Sequence, residues 1–163
     1  MVVVADTSPL TALLHLRQMQ LLPQLYGIVY LPEAVAAELN ILITFGYDIS
    51  FLQNTAVFVI KPVTDQSRVQ QISQQLDKGE AEAIVLAIEI GAGLLLIDEK
   101  LGKNVAQAAG IRCLGVVGLL IEAKSKGLIS QIKPLLDDLV QNLNFRLSEK
   151  IYLLALNKAG ESK

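Results

Sequence analysis

The residues of this chain that could do chemistry are carboxylates, and they stand where predicted strands end. Asp6 directly follows the β-branched run at residues 2–5, and the pair Asp98-Glu99 follows the apolar run at residues 94–97. Both runs have the composition of strands that are buried on both faces of a parallel sheet. Because ligands bind beyond the carboxyl ends of such strands, we expect these acids to border one crevice.

Two further segments carry acids that could reach the same crevice. Glu80 and Glu82 lie on the first turn of a predicted helix that begins at Gly79. Residues two apart do not share a helix face, so only one of these two carboxylates can point towards the crevice. Glu38 is the lone acid in the apolar helical segment at residues 34–39. Each acid taken singly fits a capping or solvent-facing role, and it is their combination that indicates a site.

Several carboxylates in one crevice would repel each other, and their pKa values would rise unless a cation neutralised them. The chain has one histidine and one cysteine, so it has no imidazole or thiolate cluster of the kind that zinc prefers. Oxygen donors alone favour Mg²⁺ or Mn²⁺. Such ions activate water and stabilise both oxygens of an in-line phosphoryl displacement. The pattern therefore predicts hydrolysis of a phosphodiester bond, with Mg²⁺ or Mn²⁺ as the cofactor.

Strands and helices must alternate to place these acids together, and the sequence predicts that they do. Short apolar runs at residues 2–5, 28–31, 57–60, 94–97 and 111–114 are separated by segments of helical periodicity. This alternation is typical of an α/β domain with a mainly parallel sheet of four or five strands and helices on both faces. At 163 residues the chain fits one domain. We expect this domain to span residues 1–156, with a disordered tail at residues 157–163.

The composition sets limits on location and partners. Hydrophobic residues make up 52% of the chain, but no apolar run approaches the ~18 residues of a membrane span. The opening residues carry no basic segment before Asp6, which argues against a signal peptide. We therefore expect a cytoplasmic protein without a membrane partner. The helices after Gly115 leave more apolar surface than a small core can absorb, which predicts a homodimer.

Four blocks carry a resemblance to a known family. They are DTSPL from Asp6, LPEAVAAEL from Leu31, GEAEAI from Gly79 and LLIDEK from Leu95. In this order they resemble the signature blocks of PIN-domain proteins. The similarity is to the prokaryotic branch described as predicted nucleic-acid-binding proteins, which are related to VapC-type toxin ribonucleases. The resemblance implies a PIN-like three-layer α/β/α fold.

The resemblance also implies an activity, which is a Mg²⁺- or Mn²⁺-dependent endoribonuclease acting on RNA. The acids that it assigns to metal binding and catalysis are Asp6, Glu38, Glu82 and a fourth acid, either Asp98 or Glu99. Strict alignment favours Glu99 as the fourth acid, whereas the strand-end argument favours Asp98, and both alternatives stand. Ser8 matches the small hydroxyl residue that supports the first aspartate, and Glu80 is a second supporting residue. A toxin role would bring an antitoxin protein as a partner.

Three basic residues follow the fourth acid and are candidates for contacting RNA, namely Lys100, Lys103 and Arg112. They are equally consistent with ordinary solvated charges. Lys103 stands where the related proteins carry arginine. It keeps the positive charge but lacks the guanidinium fork that holds a phosphate at two points.

Two other readings of the sequence remain. A haloacid-dehalogenase-type phosphatase also places an aspartate after its first strand, but it needs a second aspartate two residues later, where this chain has Ser8. The non-enzymatic alternative is a catalytically silent PIN fold that only binds RNA or another protein. Acids at all the family positions argue against that alternative, because silent sites usually lose one.

Overall fold

The computed structural model describes residues 1–163 and contains one five-stranded parallel sheet. The strands are β1 (Val3–Ala5), β2 (Val29–Pro32), β3 (Phe58–Lys61), β4 (Leu94–Leu96) and β5 (Cys113–Leu114). Their order across the sheet is β3-β2-β1-β4-β5, with every neighbouring pair parallel. The strand order reverses between β1 and β4, which makes the carboxyl ends of these two strands the expected binding crevice.

Nine helices and two short 3-10 turns connect and cover the strands. The helices are α1 (Thr7–His15), α2 (Leu21–Tyr26), α3 (Glu33–Ile41), α4 (Gln66–Ile72), α5 (Lys78–Glu89), α6 (Lys100–Ala108), α7 (Val116–Ser125), α8 (Lys133–Asn142) and α9 (Glu149–Lys158). The 3-10 turns, Leu42–Phe45 and Ser50–Gln53, occupy the region where the sequence pattern is ambiguous.

Side chains alternate across the sheet and divide the apolar interior into two layers. Val3 and Ala5 pack with α1, α2, α3, α7, α8 and α9 on one face. Val4, Leu95 and Ile97 pack with α4, α5 and α6 on the other. The burial of both faces explains why the strands are continuously apolar. The three-layer α/β/α architecture predicted from the sequence is confirmed.

The register of β1 against β4 brings the two strand-end acids to one edge of the sheet. Ala5 pairs with Leu96, and the backbone amide of Asp6 donates a hydrogen bond to the Leu96 carbonyl at 2.9 Å. Asp6 therefore continues the ladder by one residue. Asp98 comes two residues after Leu96, so the two aspartates leave the sheet side by side.

The last residues are more ordered than the sequence predicts. The sequence predicts a disordered tail from residue 157, but α9 continues to Lys158. Beyond it, Glu161 accepts hydrogen bonds from the backbone amides of Ile132 and Lys133 at 2.7 and 3.0 Å and forms an ion pair with Lys124 at 2.9 Å. These contacts attach the segment after α9 to α7 and to the start of α8.

None of the helices has the length and apolar character that crossing a membrane requires.

Candidate acidic active site

A polar cavity of about 530 Å³ opens at the carboxyl ends of β1 and β4. Five acids line it together with α1 hydroxyl groups and the loop before α9. The acids are Asp6, Glu38, Asp77, Asp98 and Glu99. We call this cavity the acidic pocket. Four of the five acids were candidates from the sequence, and Asp77 was not.

Asp6 is the most buried acid of the pocket, with 2% of its surface exposed. Burial raises its pKa to about 7, and the nearby carboxylates Asp77, Glu38 and Asp98 add to the rise. A hydrogen bond from the Thr7 backbone opposes it only in part. No basic side chain forms an ion pair with this carboxylate, so a cation that entered the pocket would favour its charged form.

Glu80 and Glu82 point in different directions, as their spacing requires, and Glu80 is the one whose pKa responds to the charges of Asp77, Asp6 and Glu99. The pKa of Glu80 is raised to about 8, and burial is the largest cause. A side-chain hydrogen bond with Asp77 and the charges of Asp77, Asp6 and Glu99 add to the rise. Its Oε2 atom is buried and has no hydrogen-bond partner. Glu80 thus lies behind the pocket wall, next to its acids.

Glu82 does not line the acidic pocket. Its Oε1 atom accepts a hydrogen bond from the backbone amide of Ala34 at 3.0 Å. Pro32 precedes α3 and offers no side-chain cap, so Glu82 satisfies an amide at the helix start that would otherwise lack a partner. The resemblance assigns Glu82 to metal binding with Glu80 in support, and neither carboxylate lines the pocket. Glu82 is near enough to Glu38 for its charge to raise the pKa of that acid, so the assignment of the two residues stays a prediction.

Asp77 is the site residue that the sequence analysis missed. Its Oδ1 atom accepts a hydrogen bond from the backbone amide of Glu80 at 2.8 Å, which caps α5. The spacing of an aspartate followed three residues later by a glutamate is a helix-start signal that could have revealed it. Asp77 therefore has two roles: it caps α5 and it lines the acidic pocket.

Glu38 reaches the pocket from α3 and is held there by α1. The Thr7 hydroxyl donates a hydrogen bond to Glu38 Oε2, and the Gly79 backbone also donates to this carboxylate. Burial is the main reason why the pKa of Glu38 is raised, and these hydrogen bonds oppose it. The resemblance assigns to Ser8 a hydroxyl that supports Asp6. Ser8 lines the pocket, and the hydroxyl of the preceding residue, Thr7, supports a different acid, Glu38.

Asp98 and Glu99 both line the pocket but differ in their surroundings. Asp98 Oδ1 accepts a hydrogen bond from the backbone amide of Val116, the first residue of α7, at 2.9 Å. Asp98 Oδ2 is buried and has no partner, and burial raises the pKa of this side chain although Lys103 opposes the rise. Glu99 is exposed. Asp98 is the oriented acid, and Glu99 adds charge at the rim.

The three basic candidates occupy different places. Lys103 lies beside Asp98 and lines a second cleft next to the acidic pocket. Lys100 is exposed at the start of α6 and lines neither cavity. Arg112 precedes β5 and therefore lies at the amino ends of the strands, away from the pocket. The prediction that it contacts substrate at this pocket is not supported. Arg146, which no sequence motif marks, lines both cavities.

The donors present suit a hard divalent cation, since they are all carboxylate oxygens. Two buried carboxylate oxygens without partners, on Glu80 and Asp98, show that the polar groups around the pocket are incompletely satisfied. Yet no three acidic, histidine or cysteine side chains are grouped closely enough to form a closed metal site. The structure therefore provides carboxylate donors around one cavity, and a cation there would be held by acids that line it, with Asp6 and Asp98 at the strand ends.

Comparisons with known proteins agree on the fold and the family. A family model described as DUF3368, PIN domain, matches residues 2–161. Among solved structures, the chain is similar to a PilT N-terminus domain protein, SSO1118, from the hyperthermophilic archaeon Sulfolobus solfataricus P2. The identity is 20%, the match covers 76% of this chain and 93% of that chain, and the TM-score is 0.54. At this identity the likeness concerns the fold alone. No curated protein matches the chain. Because the family model spans nearly every residue, the chain belongs to the DUF3368 family of PIN domains, a nuclease fold.

Proposed function

We propose that this protein is a metal-dependent endoribonuclease that hydrolyses RNA phosphodiester bonds with Mg²⁺ or Mn²⁺ at the acidic pocket. The observation that carries the proposal is the position of Asp6. It is a buried carboxylate at the point where the strand order reverses, and other acids surround it. Membership of the PIN-domain family supports a nuclease activity.

Each acid has a distinct part in the proposed site. Asp6 and Asp98 leave neighbouring strands and would hold a cation between the strand ends. Glu80 supports them from behind the pocket wall, where burial and the neighbouring acids raise its pKa to about 8. Glu38 and Glu99 border the open side, where a water molecule and the phosphate enter. When bound, the metal supplies an activated water and stabilises charge on the phosphate oxygens.

A cleavage assay with matched glutamine variants tests the proposal. Single-stranded RNA with Mg²⁺ or Mn²⁺ should be cut by the wild-type protein, and EDTA should stop the reaction. Glu80→Gln removes a carboxylate beside Asp6, and we expect it to abolish cleavage. Glu82→Gln makes the same chemical change two residues away, at a carboxylate that accepts the backbone amide of Ala34, and we expect it to retain activity. If both variants cleave as the wild type does, the activity comes from a contaminant.

The absence of cleavage by a folded, metal-loaded wild-type protein would favour the catalytically silent RNA-binding alternative. A phosphatase would instead release phosphate from a monoester such as p-nitrophenyl phosphate and leave RNA intact. These three results separate the three readings of the pocket.

A toxin role in a toxin-antitoxin pair is a further part of the proposal, and the resemblance to VapC-type toxins supports it. Expression of the wild-type chain should then arrest bacterial growth, whereas Asp6→Asn should not. Co-expression with the product of the adjacent gene should restore growth if that product is the antitoxin. Normal growth with active, soluble protein would argue for a housekeeping ribonuclease.

A further inference from the structure

The loop between α8 and α9 connects the acidic pocket to a second cleft. Asn144 adopts a positive φ of 52° and turns the chain. The backbone amide of Phe145 donates to the Leu139 carbonyl at 3.0 Å, which fastens the loop to α8. Phe145 and Arg146 then line both the acidic pocket and a cleft of about 430 Å³. The two cavities also share Asp98, so they lie directly next to each other.

The second cleft has an apolar wall and a basic rim. Ile121, Leu147 and Leu154 belong to the wall, and 44% of the Leu154 surface is exposed. The cations of this cleft are Lys103, Arg146 and Lys158, and none of the three takes part in an ion pair. The two adjacent cavities therefore differ in charge: acids predominate in the acidic pocket, and three cations against one acid, Asp98, line the second cleft.

This charge distribution suits a nucleic-acid strand better than a protein surface. The acids repel phosphates, so a strand that reaches the acidic pocket has to be held by cations beside it. Bases of single-stranded nucleic acid stack on aromatic side chains, and this stacking tolerates any sequence. Lysine is depleted in the centres of protein interfaces, whereas two of the three cations here are lysines.

We propose that this cleft holds the nucleotide next to the scissile phosphate of a single-stranded RNA. Arg146 and Lys158 bind phosphates, and Phe145 stacks on the base. The inference rests on the proposed ribonuclease function and assigns the residues that bind its substrate. It also explains why Arg146 faces both cavities: its guanidinium can hold a phosphate at two points, where Lys103 offers only one.

Binding measured without cleavage tests this assignment. Two fluorescently labelled probes are used in the presence of EDTA, a hexamer of uridine and an abasic ribose-phosphate hexamer. Arg146→Ala should weaken the binding of both probes about three- to tenfold and reduce the salt dependence by about one phosphate contact. Phe145→Leu should weaken binding of the uridine probe about fivefold or more and leave the abasic probe unchanged. Phe145→Tyr should restore binding, since it keeps the ring.

Arg68→Ala is the matched control, because Arg68 is an exposed arginine on α4 that lines neither cavity. If Arg146→Ala and Phe145→Leu bind both probes as Arg68→Ala does, the assignment is overturned. It is also overturned if either variant changes the oligomeric state in the absence of RNA, since the cleft would then be a protein interface. Normal cleavage by these variants, with loss of cleavage only in Glu80→Gln, would leave the ribonuclease proposal intact while this inference fails.

Discussion

The backbone amide of Ala34 donates its hydrogen bond to Glu82 Oε1 across 3.0 Å, so an acid of α5 caps the start of α3. The amide oxygen of Glu82→Gln can still accept this bond, but the favourable interaction of a negative charge with the helix dipole is lost. We expect a loss of about 0.3–1 kcal/mol in the free energy of unfolding, measured by urea denaturation. A normal unfolding curve together with a lost metal response would instead return Glu82 to the metal site.

In metal-free protein, stability should fall as the pH rises. The folded-state pKa values of Asp6 and Glu80 are raised to about 7 and about 8, from ordinary values of 3.8 and 4.5. The folded chain therefore keeps protons that the unfolded chain releases. The stabilising contribution is complete below about pH 4 and is lost by about pH 8.

Asp6→Asn removes one of the two titrating groups of this transition and should reduce the pH dependence, leaving the part that Glu80 contributes. At pH 8 and without metal, we expect this variant to exceed the wild type by roughly 2–4 kcal/mol, measured by denaturant unfolding across the pH range. An equal pH dependence in both proteins would show that Asp6 is compensated in solution.

When a divalent cation is bound, the wild type should become more stable than Asp6→Asn. Mn²⁺ or Mg²⁺ at roughly a hundredfold excess over Kd should raise the Tm of the wild type by about 5–10 °C, because binding stabilises the folded state by mass action. Asp6→Asn should lose most of this increment. Asp48→Asn is the control, since Asp48 is an exposed aspartate outside the acidic pocket. Equal metal responses in all three proteins would remove Asp6 from the metal site.

Removal of the Thr7 hydroxyl should weaken metal binding more than removal of the Ser8 hydroxyl, although the sequence favours Ser8 as the supporting residue. Thr7→Val keeps the shape of the side chain but removes the hydroxyl that donates to Glu38. Loss of a group that orients a ligand typically weakens metal affinity about tenfold or more, and calorimetric titration with Mn²⁺ would measure it. Ser8→Ala removes a hydroxyl that makes no side-chain hydrogen bond in the structure and should bind normally. The opposite ranking would support the assignment of Ser8.

The sequence brings the strand-end acids to the pocket, but it does not determine how the acids of α5 are oriented, for a physical reason. Asp6 and Asp98 follow apolar strands, and the geometry of a parallel sheet alone brings such positions to one edge. The choice between Glu80 and Glu82 depends on how α5 is rotated against α3 and α6, which is set by long-range packing. Arg146 reaches the pocket only through the turn of the loop after α8, and no local pattern encodes that turn.

Self-association stays a prediction. The sequence places its surface on the helices after Gly115, but no large apolar side chain there is more than 44% exposed, and a more exposed apolar segment lies at residues 41–45. Ile41, Ile43 and Phe45 cluster where α3 passes into a 3-10 turn, and between 57% and 73% of each surface is exposed. Paired copies of one such patch would bury it in a two-fold interface. Light scattering coupled to gel filtration should show a homodimer, and Phe45→Asp should shift it towards monomer. A wild-type monomer at micromolar concentration would contradict the prediction.

Two glycines of the pocket have a consequence for mutational scanning. A Cβ atom at Gly115 would lie 2.5 Å from Asp98 Oδ1 and 3.1 Å from Lys103 Nζ, and one at Gly79 would overlap the Glu38 carboxylate. Alanine at either position would displace an acid while leaving every functional group in the chain. In an alanine scan scored by activity, these two glycines should therefore lose as much activity as the carboxylates do. Their contribution is the space next to the acids, since neither glycine has a reactive side chain.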